Sequence, residues 1–337
     1  MKSFLPPISL CLLALCIYAL SPAQGIQMLQ EEYKSDSSYY DIHRIASGKY
    51  WMAGENGVLN EMDAAGNIKK VHFPQAGLDI LRIQTHEDNV YVGTSRGGLF
   101  KYDVVADKWS RAIVPQNFDR RCFYDLLVLP EQNKLIVSGG HQKIAMGKKV
   151  VPLGFIASID LDFEEELKIL HKNSLSFVWA LEYAGGKVYA SSFKGVNSQI
   201  LTASVNSFEF KKQMTVPGLI HHLEEKEGSI YYSGTASTKY AQHGIVGRIG
   251  GMQESLDGFG CIWSIKPMGD IWIGLNYYGD ILFFDEQLNV DSRLPSTGKS
   301  MYELAIVNSH QALVVGHGNQ SLLLDLKLES NEMSLNP

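Results

Sequence analysis

The chain has 337 residues, a net charge of −6 and 20% charged residues, a balance that excludes nucleic acid or an anionic lipid surface as a default partner. Of its four cysteines, Cys11 and Cys16 fall in an apolar N-terminal leader, which leaves only Cys122 and Cys261 for the body of the protein. Two cysteines exclude a disulfide framework, so the fold must be held by its core, and both thiols are expected to be free and buried.

In chain order, Lys2, the apolar run Ile8–Leu20 and the small residues of Ser21-Pro22-Ala23 have the form of a secretory signal peptide over residues 1–23, cleaved before Gln24. The run is short for a spanning helix, and no basic stop-transfer flank follows it. Leu13-Ala14-Leu15-Cys16 approaches a lipid-attachment motif, but Leu15 is too bulky for the position before the cysteine. The sequence therefore predicts an exported chain, periplasmic or secreted and in either case able to associate with the cell surface, with no integral span after cleavage.

From there one phrase recurs seven times: an apolar strand, a polar turn, then a second apolar strand ending on a small residue. It reads Ile80–Ile83, His86–Asn89 and Val90-Tyr91-Val92-Gly93 in the second copy, and Ile262–Ile265, Met268–Asp270 and Ile271-Trp272-Ile273-Gly274 in the sixth. The small residues Gly54, Gly93, Ser138, Ser191, Ser233, Gly274 and Gly316 serve as a ruler, spaced by about 39 to 53 residues, the period of β-propeller blades. The runs before them are short, rich in β-branched and aromatic residues and nearly continuous in hydrophobicity, as expected of strands buried on both faces between stacked blades. First strands are predicted at Ile42–Ile45, Ile80–Ile83, Tyr124–Leu129, Trp179–Tyr183, Ile220–Leu223, Ile262–Ile265 and Tyr302–Val307. Fourth strands are predicted at Ile68–His72, Trp109–Ala112, Leu167–His171, Glu209–Met214 and Val290–Arg293. The last unit has no good fourth strand, and Ile26–Tyr33 is expected to supply it, closing the ring and removing two open sheet edges. The expected architecture is all-β: one seven-bladed propeller of four-stranded antiparallel blades over residues 24–330, with a C-terminal tail at 331–337.

The segment Lys49-Tyr50-Trp51-Met52-Ala53-Gly54-Glu55-Asn56-Gly57-Val58-Leu59 resembles the repeat of photosystem-assembly-factor propellers. The second and sixth units are similar to the periplasmic sensor propellers of hybrid two-component regulators, with Ile-Trp-Ile-Gly followed by Gly-Asp-Ile-Leu-Phe-Phe-Asp in the sixth. What the resemblance implies is a fold; these motifs describe strands and turns and carry no activity across. The chain holds no kinase or DNA-binding region of the kind that such sensors carry.

In a propeller, ligands meet the loops that enter the first strands and those that link second to third strands. These positions gather Tyr277, Tyr278, Tyr240, His141, Lys143, His243, Trp179 and Trp263, an aromatic, histidine and basic set suited to a protein or glycan ligand. Trp179 and Trp263 occupy equivalent sites in their repeats, which equally fits packing between blades. Longer loops at His141–Leu153 and Thr235–His243 exceed the repeat and are candidate specificity elements. For catalysis, His221, Tyr240 and Arg96 would resemble the base, acid and charge-neutralising set of propeller polysaccharide lyases, although no extended motif matches. No His-x-His, His-Glu-x-x-His or Cys-x-x-Cys pair points to a metal, and no cofactor is expected. The recurring Asp103, Asp160, Asp285 and Asp325 after third strands are expected to shape turns. The expectation is a monomeric, non-catalytic binding or assembly module, with a secreted lyase or hydrolase as the alternative.

Overall fold

The computed structural model describes residues 26–34, 37–45, 47–118, 121–141, 154–173, 176–236, 243–295, 298–318 and 320–328. The expected signal peptide at 1–23, the expected tail at 331–337 and most of the His141–Leu153 and Thr235–His243 loops lie outside them. Seven separate four-stranded antiparallel sheets form; six are paired in sequence order as simple meanders, and the seventh joins three C-terminal strands to the N-terminal strand at its outer edge. The first strands are Tyr39–Arg44, Ile80–His86, Arg121–Leu129, Ser176–Ala184, Leu219–Lys226, Ile262–Met268 and Met301–Ile306. Each packs against the first strand of the next blade, and the seventh packs against the first, so these strands wall a central channel. The chain is a seven-bladed β-propeller.

The second strands are mostly buried, Tyr50–Gly54 along its whole length, while fourth strands such as Lys211–Pro217 are largely exposed. Seven hydrophobic clusters fill the seams between consecutive blades: Trp51, Val92 and Tyr102 join the first two, and Met52, Tyr50 and Val315 join the seventh to the first. Ring closure is made by Ile26–Lys34, which pairs antiparallel with Gln320–Leu328 from Ile26↔Leu328 to Lys34↔Gln320. The fourth strand of the fifth blade, Gln253–Asp257, had no counterpart in the sequence prediction, because only Leu256 of its five residues is buried. In the fourth blade the fourth strand is Lys211–Pro217, shifted toward the C-terminus from the predicted Glu209–Met214.

Every first strand carries a β-bulge near its start. The register skips one residue at Tyr40, Leu81, Tyr124, Trp179, His221, Trp263 and Tyr302, one per blade. Crowding opposite the bulge explains the small residues: a Cβ on Gly54 would sit 2.0 Å from the Ser38 carbonyl oxygen, and one on Gly139 2.1 Å from that of Cys122. The bulge also corrects the sequence ruler. Gly93, Ser138, Ser191 and Ser233 are equivalent partners of the residue after the bulge, whereas Gly54 and Gly316 lie one position later and Gly274 one earlier. Among the described residues no helix is long and apolar enough to cross a membrane. Cys122 and Cys261 are both free and buried.

Candidate functional site

A bulged residue is left out of the ladder, so its side chain is aimed away from the blade seam. Here all seven are aimed at the channel mouth, where with Phe177 and Arg82 they line a cavity of about 370 Å³. The rings touch in sequence. Tyr124 stacks on Trp179 at 4.5 Å, Trp179 meets His221 edge-to-face at 4.9 Å, and His221 meets Trp263 at 4.5 Å. Trp263 then meets Tyr302 at 5.7 Å and Tyr302 meets Tyr40 at 5.6 Å, leaving a single gap in the collar at Leu81. Trp179 and Trp263 thus face the channel mouth, where they touch rings of the neighbouring blades but stand outside the hydrophobic clusters of the seams.

His221 is 5% exposed, and its Nδ1 and the Nε1 of Trp263 are buried without a hydrogen-bond partner among the described residues. Burial, with the Arg82 guanidinium nearby, pushes the His221 imidazole down to about 3, so it is neutral at physiological pH. Burial also raises the hydroxyl of Tyr124, and raises that of Tyr40 to about 12 with help from Asp79 and Glu55.

Directly below the collar, the residues that follow the bulges are Asp41, Arg82, Asp125, Ala180, His222, Ser264 and Glu303. Strand alternation would put them on the opposite face of a regular strand, but the bulge turns them into the channel as a second layer. The acids there serve the backbone. Asp41 accepts from Ile42 N at 2.9 Å and from Ile83 N of the next blade at 2.7 Å. Asp125 repeats this with Leu126 N at 2.9 Å and Leu181 N at 2.7 Å. Each thereby satisfies an inner-edge amide that has no strand beside it. Glu303 accepts from Leu304 N at 3.1 Å and from Ser264 Oγ at 2.6 Å.

Arg82 sits among the three carboxylates: Nη1 is 3.4 Å from Asp41 and 3.2 Å from Glu303, and Nε is 3.8 Å from Asp125. A third layer adds Glu224 and Lys266, the lysine 3.1 Å from Glu224 and 3.9 Å from Glu303, and His222 of the second layer reaches Glu224 at 3.2 Å. These groups line a small polar chamber of about 100 Å³ with Glu182 and His43. Five acids thus share two permanent cations, and their proton affinities separate accordingly. Burial raises Asp41 to about 6 and Glu182 to about 8, the latter with Glu224 beside it. Burial acts the same way on Glu303, but Lys266, His222 and Arg82 override it and hold that carboxyl down at about 2.

The remaining candidates stand outside the collar. Because adjacent strands run in opposite directions, the second-to-third loops lie beside the bulges, and Tyr277 and Tyr278 rise from that loop of blade six. They are 51% and 39% exposed and meet edge-to-face at 5.8 Å. Ser300 donates to the Tyr277 carbonyl at 2.7 Å, tying this loop to the entry of the Tyr302 strand. Arg96 is exposed on the corresponding loop of blade two and does not line the collar. His243 pairs with Asp257 at 2.6 Å at the start of a third strand, also away from the collar. His141 ends the second strand of blade three opposite Arg121, while Lys143 and Tyr240 lie outside the described residues. Leu81, Phe177 and Arg82 had not been picked out by the sequence. Three blades do carry a readable trace of the device, an aromatic followed by an acid, in Tyr40-Asp41, Tyr124-Asp125 and Tyr302-Glu303.

Of the four aspartates expected to shape turns, Asp325 does not: it lies within the strand Gln320–Leu328 and accepts from Gln311 Nε2 at 3.0 Å, whereas the others act on their own backbone. Asp160 accepts from the amides of Asp162, Glu164 and Glu165, and Asp285 from those of Gln287 and Asn289. Among the described residues no cluster of three or more His, Cys, Asp or Glu is arranged to hold a metal ion.

No family model matches the chain, and no curated protein matches it in sequence. Solved structures do match in shape. Virginiamycin B lyase from Staphylococcus aureus is 10% identical, with a TM-score of 0.67 over 89% of this chain and 100% of that one. YCF48 bound to D1 peptide is 11% identical, with a TM-score of 0.63 over 91% of this chain and 99% of that one. The extracellular domain of a hybrid two-component system from B. thetaiotaomicron is 14% identical, with a TM-score of 0.63 over 88% of this chain and 42% of that longer one. At these identities the likeness is one of fold, shared by an enzyme, a peptide-bound protein and an extracellular domain alike, and it places this chain among the seven-bladed β-propellers.

Proposed function

We propose that the protein is an exported, non-catalytic propeller that binds a protein or glycan ligand through the channel mouth. The observation that carries this is the collar: six aromatic or imidazole rings delivered by bulges to one concave opening, outside the hydrophobic clusters that fill the blade seams. Such a surface offers flat apolar faces with polar edges, the composition of recognition sites. Support for a polypeptide ligand comes from the peptide-bound YCF48, a protein of the same shape. The apolar leader at residues 1–23 supports export.

The alternative, a lyase or hydrolase, draws on His221 standing in the collar. Of its two partners, Arg96 is exposed on a rim loop and does not line the collar, while Tyr240 lies outside the described residues; a histidine held near 3 is also a weak proton acceptor at neutral pH. The test is capture from periplasm and culture medium beside a glycan array, with wild type and a Trp179→Ala, Trp263→Ala double variant. Ligand captured by the wild type and lost by the double variant supports the assignment. Undiminished capture by the double variant, or turnover of a polysaccharide by the wild type, refutes it.

A further inference from the structure

We infer that the collar and the tyrosine pair beside it form a two-subsite cradle for an uncharged glycan, one sugar ring seated end-on among the collar rings and the next against Tyr277 and Tyr278. This rests on the binding assignment above and names its ligand class.

Charge is the first argument. Arg82 is the charged residue at the floor of the collar, and its guanidinium is already held by Asp41, Asp125 and Glu303 in the layer beneath. A cation there is repelled by it, and an anion has to compete with those carboxylates for it. His221 itself is neutral. Ions of either sign therefore lose water without gaining a free counter-charge, a loss that an uncharged group is spared.

Shape and hydrogen bonding are the second. A pyranose has C–H faces that lie on the electron-rich faces of Trp and Tyr, and a rim of hydroxyls. The collar offers those faces, and His221 Nδ1 and Trp263 Nε1 are polar atoms with no partner among the described residues. A hydroxyl both donates and accepts, so it suits a neutral imidazole next to an indole N–H. An extended peptide is served less well. Two of the inner-edge amides on which its backbone could pair, those of Ile83 and Leu181, are already taken by Asp41 and Asp125.

The third is the platform outside. Tyr277 and Tyr278 are the largest exposed aromatics among the described residues, and the Ser300 bond fixes their loop next to Tyr302 of the collar. A chain held by one ring in the collar would place its following unit on them.

The experiment measures calorimetric binding of the chain from Gln24 to Pro337 to neutral glucan, mannan, xylan and galactan oligomers, from monosaccharide to hexasaccharide. Uronic-acid and sulfated oligomers and a peptide array run beside them. At least one neutral series should bind, with affinity rising about tenfold from one unit to two or three. Trp179→Ala should weaken every length by about 30-fold or more. Tyr277→Ala, at an exposed site that cannot unfold the blade, should abolish the gain with length and leave the monosaccharide affinity unchanged. Circular dichroism and the unfolding midpoint check that both variants are folded. Binding of charged oligomers alone, of peptides alone, or of no neutral series at millimolar concentration overturns the inference. Peptide binding that Trp179→Ala removes would overturn it while leaving the binding assignment intact, whereas binding indifferent to Trp179→Ala overturns both.

Discussion

Replacing Arg82 with Met keeps a long side chain in the channel and removes the cation at its centre. Three buried carboxylates lie within 3.2–3.8 Å of its nitrogens. Each pair is worth about 4–5 kcal/mol at an effective dielectric near 20, but repulsion among the acids and the desolvation of the guanidinium cancel most of that sum. Removing one partner of a buried ion cluster costs about 3–5 kcal/mol at pH 7, a large share of a total stability of about 5–15 kcal/mol. The loss should depend on pH in a definite direction. Without Arg82, Asp41 and Asp125, which burial already raises, bind protons still more tightly folded than unfolded, while Glu303 keeps Lys266 and His222; the variant is therefore relatively stable in acid and loses stability as pH rises through the raised values. One proton held by the folded state at pH 5 recovers about 1.4 kcal/mol per pH unit, so the deficit should shrink to about 1–2 kcal/mol there. Wild type carries part of this slope, because its Asp41, raised to about 6, loses stability at up to about 1.4 kcal/mol per pH unit between about pH 4 and 6; the deficit narrows by the additional proton that the variant holds. Urea unfolding of both proteins at pH 5 and pH 7 reads these quantities directly. A deficit below about 1 kcal/mol at pH 7, or one equal at both pH values, would refute the assignment of Arg82 as the centre of the cluster.

Glu182→Gln should leave stability unchanged near pH 4 and raise it by roughly 2 kcal/mol at pH 8.5, because a carboxyl raised to about 8 stays protonated in the fold while the unfolded chain ionises above about 4.5. That figure is reduced from the full shift because Glu182 borders the polar chamber and is only partly buried; a variant less stable than wild type at pH 8.5 would contradict it. Removing Ile26–Lys34 should open the ring and lower stability by roughly 3 kcal/mol or more, and the same nine residues added as a peptide should restore it. An unchanged urea midpoint would show that the strand does not close the ring. Trp272→Ala, at a site 1% exposed and packed on Tyr231 at 4.3 Å, should cost about 3–5 kcal/mol in equilibrium unfolding, and a loss under about 1 kcal/mol would contradict its place in the seam.

The scaffold was legible in the sequence because it rests on hydrophobicity, which recurs. Runs such as Val90-Tyr91-Val92 and Ile271-Trp272-Ile273 must be apolar on both faces wherever blades stack. Gln253–Asp257 escaped notice for the opposite reason: an outermost strand faces solvent on most sides, and its pairing with His243–Arg248 rests on the backbone ladder and an exposed His243–Asp257 contact, with no apolar pattern. The collar residues Tyr40, Tyr124, Trp179, His221, Trp263 and Tyr302 were visible as residues of strand entries, yet their common destination was not. A bulge is a fault in register between two strands, and neither strand carries a residue type that demands it. Arg82 and Glu303 read as ordinary surface charges on a half-polar strand, because only the closed ring brings strands more than two hundred residues apart to one ion pair.

The bulge separates two demands that a strand residue normally carries together. Ladder positions must suit the neighbouring blade, and a change at Val92 or Ile273 is felt through a whole seam. The seven off-ladder positions answer to no opposite partner, so their identities can be exchanged singly while the ring keeps its registers. The channel mouth is in effect a seven-place code written on a constant support. The present chain spells it Tyr, Leu, Tyr, Trp, His, Trp, Tyr, and a change of ligand needs only a change of letters.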